Sequence, residues 1–202
     1  ISLLGKNKWI SSKESRRDVQ YLRAESCAIL VGAKTVINDN PMLDVRLSKK
    51  DLDIELEIRQ PIRIVLDTNL KLNINKYKMF NGIEKKIVFN SLSSLYNNKK
   101  NIDFVKIRKY KDGLNIGSIL KILAEKYEIN NLMVEPGSKL LTTLIGKNFI
   151  DELVLYHCPI YIGKLGLNFI NINNKAFNNQ SIAIDSVKKF SNDVRITYKL
   201  TR

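Results

Sequence analysis

Residues 27–32 read CAILVG, and this apolar run closed by a glycine decides the fold. An uninterrupted run of this kind is typical of a strand that is buried on both faces of a sheet. Similar runs follow at residues 62–67, 86–90 and 131–135. Because helical spacing appears between such runs, the sequence predicts an α/β fold with a mainly parallel central sheet and helices on both faces.

The segments on either side of these strands favour the same architecture. Ser11 and Glu14 match a capping box, which predicts a helix over residues 13–25. Further helices are expected at residues 33–37, 115–127 and 138–147, a short edge strand at 104–108 and a long strand at 152–162. Residues 185–189 and 194–200 predict a C-terminal antiparallel hairpin. Since neither a repeat nor a low-complexity linker interrupts the chain, we expect residues 1–202 to form one domain.

Composition excludes several classes of protein. Lys and Arg number 34 against 20 Asp and Glu, which gives a net charge of +14 over 202 residues. The lysines are scattered, so a solvated basic surface is expected, with a phosphate-rich ligand or nucleic acid as alternatives. No apolar run reaches the roughly 18 residues of a membrane helix. Two cysteines and one histidine exclude a disulfide framework and a four-ligand zinc site, and they favour a reducing cytoplasm.

Two groups of residues could carry chemistry. Residues 134–139, VEPGSK, join a strand to a helix, where Gly137 and the helix N-terminus suit a pyrophosphate. Glu135 would stand at the carboxyl end of its strand, where open α/β sheets bind ligands. The second group lies around the first strand: Arg23, Thr35, Asp39 and Arg46. Two guanidinium groups can clamp a phosphate, although each of these residues taken singly could be an ordinary surface charge.

Two single residues complete the set. Trp9 could be a core plug or a wall for a flat ring. His157 lies in an apolar strand and is expected to be packed there rather than to act as a base. No Ser/His/Asp arrangement can be built around it, so covalent hydrolysis is disfavoured.

Taken together, these residues resemble a known family. Residues 8–12, 16–20 and 22–24, followed by 28–32, 35–36, 39–41 and 45–46, resemble the reductase domain of the bifunctional riboflavin-biosynthesis deaminase/reductase. The resemblance continues through residues 60–67, 134–137 and 151–153. It implies a dihydrofolate-reductase-like fold and an NADPH-dependent 5-amino-6-(5-phosphoribosylamino)uracil reductase, which reduces the ribosyl group to ribityl. Hydride transfer needs no nucleophile, so a site without a catalytic His or Cys is expected.

The resemblance also implies roles for individual residues. Substrate would be bound by Asn7, Arg23, Leu43, Arg46 and Glu135. NADPH would be bound by Trp9, Thr35, Asp39, Thr68, Gly137, Ser138, Lys139, Leu140, Leu141, Thr142 and Thr143. Asp39 and Glu135 would be catalytic, by stabilising a cationic imine or holding sugar hydroxyls, and no metal is implied. The expected partners are the phosphorylated ribosylaminopyrimidine and further copies of the chain, with no membrane.

Two departures from the family pattern matter. The family's first strand, of Lys-x-Ala-x-Ser-x-Asp-Gly type, is missing ahead of Ile1, so either it lies upstream or the site lacks it. The deaminase signature, His-x-Glu followed by Pro-Cys-x-x-Cys, is also missing, so a separate deaminase chain, or one removed upstream, would make the substrate. The alternatives to the reductase are a catalytically impaired, reductase-like nucleotide-binding protein and, less favoured, a basic nucleic-acid-binding protein.

Overall fold

The structure is a computed structural model that describes residues 10–92, 101–111, 113–163, 166, 168–170 and 182–200. The chain divides into two compact units, Gln20–Pro136 and the combination of Ile1–Val19 with Gly137–Arg202. The division falls within the first helix, α1 (Lys13–Glu25). The two units are described separately below.

The unit Gln20–Pro136 contains a parallel five-stranded sheet. Its strands are β1 (Ala28–Gly32), β2 (Ile62–Leu66), β3 (Lys86–Asn90), β4 (Ile102–Lys106) and β7 (Leu132–Val134), in the spatial order β4-β3-β2-β1-β7. A two-stranded ribbon, β5 (Lys109–Tyr110) with β6 (Gly113–Leu114), follows β4. The chain therefore steps outward from β1 to β4 and then crosses back to place β7 on the other side of β1.

Helices cover both faces of this sheet. The connection from β1 to β2 holds α2 (Ala33–Asp39) and the short α3 (Lys49–Leu52), and α4 (Ile116–Tyr127) precedes β7. Val36 of α2 belongs to a core cluster with Ile29, Val65 and Val88, which alternate with residues on the opposite face. Because parallel crossovers are right-handed, the return crossover through α4 lies on that opposite face.

The second unit contains an antiparallel sheet of three strands. Helix α5 (Ser138–Gly146) leads to β8 (Glu152–His157), and β9 (Ile182–Phe190) and β10 (Asp193–Leu200) form a hairpin. The spatial order is β8-β10-β9, so β9 is an edge strand. Arg195 of β10 donates to Asp18 in the first half of α1 over 2.8 Å, and Tyr156 of β8 donates to the same carboxylate, which fixes this part of the helix against one face of the sheet.

The start of α1 is completed by the last strand of the chain. Ser12, not Ser11, is the N-cap: its side chain accepts from the N–H of Ser15 at 3.1 Å. The Ser12 N–H donates to Asp193 Oδ2 at 2.7 Å, where a capping box would have used the Glu of the first turn. Ser15 Oγ also donates to this carboxylate at 2.6 Å. The predicted helix is confirmed, but its cap lies one residue later and Asp193 takes the role predicted for Glu14.

Other departures from the predicted elements are local. The strand predicted over 152–162 ends at His157, and that histidine is exposed, so its predicted packing is wrong. The edge strand lies at Ile102–Lys106, two residues earlier than predicted, but it does show the expected alternation and edge position. The C-terminal hairpin is confirmed, with Ser191 in the left-handed region at its turn.

Candidate active site

The carboxyl edge of the parallel sheet gathers the candidate residues of the first unit. The direction of strand addition reverses at β1, which is paired with β2 on one side and β7 on the other. In open α/β sheets the crevice at such a reversal is where ligands bind. Glu135 leaves β7 at this point, and its N–H donates to the carbonyl of Leu30 at 3.0 Å.

Glu135 is held by a two-pronged ion pair. Arg23 Nε donates to Glu135 Oε1 at 2.7 Å and Arg23 Nη2 donates to Oε2 at 3.0 Å. The Arg23 side chain is 9% exposed and the Glu135 side chain 26% exposed. Arg23 Nη1 also donates to the Asp44 carbonyl at 3.1 Å. All three nitrogens of this guanidinium therefore have protein partners, and its main effect is to fix the carboxylate and the segment at Asp44.

Arg46 is the guanidinium that remains accessible. Its side chain is 62% exposed, and its only ion pair among the described contacts is with Asp44, whose Oδ1 lies 3.6 Å from Arg46 Nε. At this distance the contact is weak, and the exposed Arg46 guanidinium can exchange it for a ligand, while the Asp44 side chain is only 15% exposed. The geometry thus separates the two predicted phosphate-binding arginines, because Arg23 is engaged and Arg46 is available.

Leu43 can meet a ligand only through its backbone. Its side chain is 1% exposed and belongs to the core cluster of the parallel sheet. Its φ is +57°, a left-handed conformation that costs about 1 kcal/mol for a residue other than glycine. The predicted substrate contact, if made, therefore uses the peptide groups on either side of Leu43.

Three predicted cofactor residues of this unit also follow the carboxyl ends of strands. Thr35 is half-buried in the first turn of α2, directly after β1, and Asp39 is exposed at the end of the same helix. Thr68 is half-buried two residues beyond β2, and its carbonyl accepts from Ser91 N and Oγ at 3.0 and 2.8 Å. The strand order places Thr35 and Thr68 at the same edge of the sheet as Glu135.

In the second unit the first turn of α5 has unused donors. Gly137 is the N-cap, is exposed and provides no side-chain cap. Ser138 Oγ is buried and has no hydrogen-bond partner. Free N–H groups at a helix start together with an orphaned hydroxyl fit a phosphate group of a dinucleotide.

The rest of α5 is less open to a ligand. Thr142 Oγ1 and Thr143 Oγ1 donate to carbonyls of their own helix at 2.8 and 3.0 Å, and Leu141 is buried. Lys139 is exposed and Leu140 half-buried. The predicted residues Asn7 and Trp9 lie outside the described residues.

Two glutamines that the sequence analysis did not single out contact the segment that carries Arg46. Gln20 accepts a hydrogen bond from the Arg46 N–H at 2.9 Å. Gln60 accepts from the Val45 N–H and donates to the Val45 carbonyl. The Gln-Pro pair at residues 60–61 belongs to a stretch that resembles the family, but the sequence assigns no role to Gln60.

Comparison with known proteins decides the family. The family model of the RibD C-terminal domain matches residues 4–196. The chain belongs to the RibD C-terminal domain family. The 5-amino-6-(5-phosphoribosylamino)uracil reductase of Buchnera aphidicola subsp. Acyrthosiphon pisum is 37% identical over 79% of this chain and 78% of its own length. The RibD protein of Aquifex aeolicus is 35% identical over 84% of this chain and 47% of its own length.

Membership of the RibD C-terminal domain family also accounts for the architecture. RibD of Acinetobacter baumannii superimposes with a TM-score of 0.79 at 23% identity, over 98% of this chain and 53% of that chain. The fold is dihydrofolate-reductase-like, as the resemblance implied. The chain spans about half the length of the RibD proteins and most of the Buchnera reductase.

The family consists of oxidoreductases of riboflavin biosynthesis that use a nicotinamide cofactor. Within the described ranges, His, Cys, Asp and Glu form no group of three or more that could hold a metal ion. None of the helices among those residues is both long enough and apolar enough to cross a bilayer.

Proposed function

We propose that this chain reduces the ribosyl group of 5-amino-6-(5-phosphoribosylamino)uracil to the ribityl product, with NADPH as the reductant. The observation that carries the proposal is the Arg23–Glu135 ion pair at the carboxyl edge of the parallel sheet, beside the segment that presents Arg46. The Buchnera relative, which has nearly the same extent, bears the name of this activity.

The residues of the first unit bind and polarise the substrate. The Arg46 guanidinium binds the 5-phosphate, for which an exposed planar cation is well suited. Ring opening of the ribosylamine gives an imine at C1′, and its protonated form carries a positive charge. The fixed Glu135 carboxylate stabilises that charge, and Asp39 holds sugar hydroxyls or shares this role. The C–N double bond becomes a single bond as C1′ gains hydrogen, and the pyrimidine stays intact.

We infer that NADPH is held by residues whose hydrogen-bond donors are given no partner within the described part of the chain. In the second unit these are the N–H groups after Gly137 and the Ser138 hydroxyl, with Lys139 beside them. In the first unit Thr35 and Thr68 supply hydroxyls. When bound, the cofactor supplies a hydride. The α5 start would hold a phosphate of the cofactor by hydrogen bonds and by the helix dipole.

The orphaned Ser138 hydroxyl gives a separate test of cofactor binding. Ser138→Ala removes one hydrogen bond to a charged phosphate, which is worth about 2 kcal/mol. The Kd for NADPH, measured by fluorescence titration, should rise about 10- to 30-fold, while the same change at the exposed Ser48 should leave it unaltered. An unchanged Kd in Ser138→Ala would remove Ser138 from the proposal.

Assembly and location form part of the proposal. One face of the three-stranded sheet carries Ile184 and Val187, which are 62% and 59% exposed, with Ile196 opposite Val187 on β10. We infer that this apolar face is covered in a homo-oligomer. Light scattering should show an oligomer that Val187→Lys dissociates, and a monomer at all concentrations contradicts this.

The proposal also includes a deaminase as the source of substrate and the cytoplasm as the compartment. A deaminase, either a separate chain or a further domain of the same protein, would supply the substrate, because the chain corresponds to one part of the longer RibD relatives. Mixing with a purified deaminase should carry the deaminase's own substrate through to the ribityl compound, and failure would exclude this partner. The two free thiols, Cys27 and Cys158, favour the cytoplasm, and recovery in a secreted fraction would contradict that location.

The central experiment is turnover with a matched pair of arginine variants. The purified chain is incubated with NADPH and the deaminated ribosylaminopyrimidine phosphate, and absorbance of the reduced nicotinamide is followed. Arg46→Ala should raise KM for substrate about 10- to 100-fold, since a charged hydrogen bond is worth about 1.5–3 kcal/mol. It should leave KM for NADPH unchanged. Arg59→Ala, at the amino edge of β2, is the control and should leave both constants unchanged.

Two results would overturn the assignment. Absence of NADPH oxidation by the unaltered chain contradicts the reductase and favours a nucleotide-binding protein without turnover. Equal weakening of substrate and cofactor in Arg46→Ala contradicts the phosphate role of that residue.

A further inference from the structure

Residues 44–46 form a backbone segment that three side chains hold in place. Gln60 Oε1 accepts from the Val45 N–H at 2.8 Å, and Gln60 Nε2 donates to the Val45 carbonyl at 3.0 Å. Gln20 Oε1 accepts from the Arg46 N–H at 2.9 Å. Arg23 Nη1 donates to the Asp44 carbonyl at 3.1 Å. Each of the three residues is thus tied to a side chain from α1 or from the approach to β2.

The segment has no regular secondary structure that could hold it. Residues 40–48 lie in neither helix nor strand. Leu43, Val45 and Leu47 are buried, whereas Asp44 is half-buried and Arg46 is exposed. This alternation places the side chains of Asp44 and Arg46 on the outer side, consistent with their 3.6 Å ion pair.

An open cleft borders the segment. A cleft of about 200 Å³ lies against it, and Asp44, Val45, Gln60 and Arg63 contribute to its lining. Val45 itself is buried, so its packing and the two hydrogen bonds from Gln60 together fix its position.

We propose that Gln60 is a positioning residue for Arg46. The inference rests on the proposed function, in which Arg46 binds the substrate phosphate. By bonding both polar groups of Val45, the Gln60 amide acts as a neighbouring strand would and sets the rotation of the extended segment. That rotation determines where the next side chain, Arg46, points. Only a primary amide of this length offers a donor and an acceptor together, so Gln60 and not Glu or Leu suits the position.

The consequence for kinetics is specific. A guanidinium that is displaced by about 1 Å loses its two-point match to a phosphate while the rest of the substrate is still bound. Loss of the Gln60 clamp should thus weaken recognition of the phosphate group alone. A role limited to stability would lower the amount of folded enzyme without changing KM for one substrate relative to another.

The test uses Gln60→Leu and Gln60→Glu with two substrates, the phosphorylated ribosylaminopyrimidine and the same compound without its 5-phosphate. Gln60→Leu should raise KM for the phosphorylated substrate about tenfold, the effect expected from two neutral hydrogen bonds acting indirectly. KM for the dephosphorylated compound and for NADPH should not change, and kcat should stay within about twofold. Gln60→Glu keeps the acceptor and loses the donor, so its effect should be intermediate.

A matched control and a double variant complete the design. Asn131 also uses its side-chain amide to donate to a backbone carbonyl, that of Glu25 at 3.0 Å, so Asn131→Leu should leave every KM unchanged. In an Arg46→Ala background, Gln60→Leu should have no further effect on KM, because the group it positions is gone.

The outcomes separate this inference from the proposed function. If Arg46→Ala raises KM for the phosphorylated substrate and Gln60→Leu does not, the positioning role is wrong and the function stands. If Gln60→Leu raises KM equally for both substrates, its role is structural and the inference is overturned. If the unaltered chain turns over but Arg46→Ala has no effect on KM, Arg46 does not bind the substrate phosphate, and the positioning role of Gln60 is wrong as well.

Discussion

The ion pair between Arg23 and Glu135 should be strongly coupled, and a double-mutant cycle measures the coupling directly. Arg23→Met keeps the length of the side chain and removes its charge, and Glu135→Gln keeps the shape of the carboxylate. Removing one partner of a fully buried pair costs about 3–5 kcal/mol, because the remaining charge is left without compensation. The Glu135 side chain is 26% exposed and the Arg23 side chain 9% exposed, so water can partly compensate.

These exposures set the expected magnitude. Each single variant should lose about 2–3 kcal/mol of unfolding free energy, below the range for a fully buried pair. Arg23→Met should be the costlier one, since it also loses the 3.1 Å hydrogen bond to the Asp44 carbonyl. The double variant should lose less than the two single losses combined, with a coupling energy of about 1.5–2 kcal/mol.

The assay is urea unfolding followed by circular dichroism for the four members of the cycle. The long contact between the exposed Arg46 and the half-buried Asp44 provides the control, and its coupling energy in an equivalent alanine cycle should be below about 0.5 kcal/mol, because the two charged groups are 3.6 Å apart and Arg46 is solvated. A coupling energy for Arg23 and Glu135 as low as that of the control would refute the reasoning. Arg23 would then be free to bind substrate, as the sequence first suggested.

Two further predictions concern the thiols and a buried carboxylate. Burial raises the pKa of the Cys27 thiol, but hydrogen bonds with Arg59 and with the backbone lower it, and the net pKa lies below the ordinary value. Burial and the Asp193 carboxylate both raise the pKa of the Cys158 thiol, to about 11. Iodoacetamide should therefore label Cys27 well before Cys158 at pH 8, as measured by peptide mass spectrometry, and equal rates would contradict this. Burial raises the pKa of the Asp193 carboxyl, but hydrogen bonds from Ser15, Ser12 and Cys158 bring it below the ordinary value. The ionised carboxylate therefore stabilises the folded protein above about pH 4, and this stabilisation is lost as pH falls through the folded-state pKa. Asp193→Asn should lower the unfolding free energy by about 1–3 kcal/mol at pH 7, and the decrease of that free energy below pH 4 should become less steep. Urea unfolding at several pH values measures both effects. An unfolding free energy that decreases below pH 4 as steeply as in the unaltered chain would contradict the prediction.

The sequence predicted the fold well where the signals are local. Strand β3 lies at Lys86–Asn90 and helix α1 at Lys13–Glu25, both as predicted, because apolar runs and helix caps act over a few residues. The prediction for β8 was too long, since the apolar run continues past His157 but pairing with β10 stops there, at Val194. The ribbon of β5 and β6 was not predicted, because strands of two residues give no periodicity.

The candidate site was predicted in part. The residues around Glu135 were identified, and the contact with Arg23 at the carboxyl edge agrees with the expectation that they share one region. What the sequence could not show is that Arg23 is already occupied, because that depends on two side chains separated by 112 positions. Gln60 was missed for the same reason, since a glutamine ahead of a proline carries no signal until its backbone partner is known.

The attachment of Asp193 to the first turn of α1 has a consequence for biosynthesis. Ser12 and its carboxylate partner are 181 residues apart in the chain. At translation rates of about 5–20 residues per second, the beginning of the helix is synthesised roughly 10–40 s before Asp193, whose carboxylate accepts from the N-terminal turn. During that interval the ribosome-bound chain must keep the helix start frayed or hydrated, and the amino-terminal turn becomes rigid only when the final hairpin arrives.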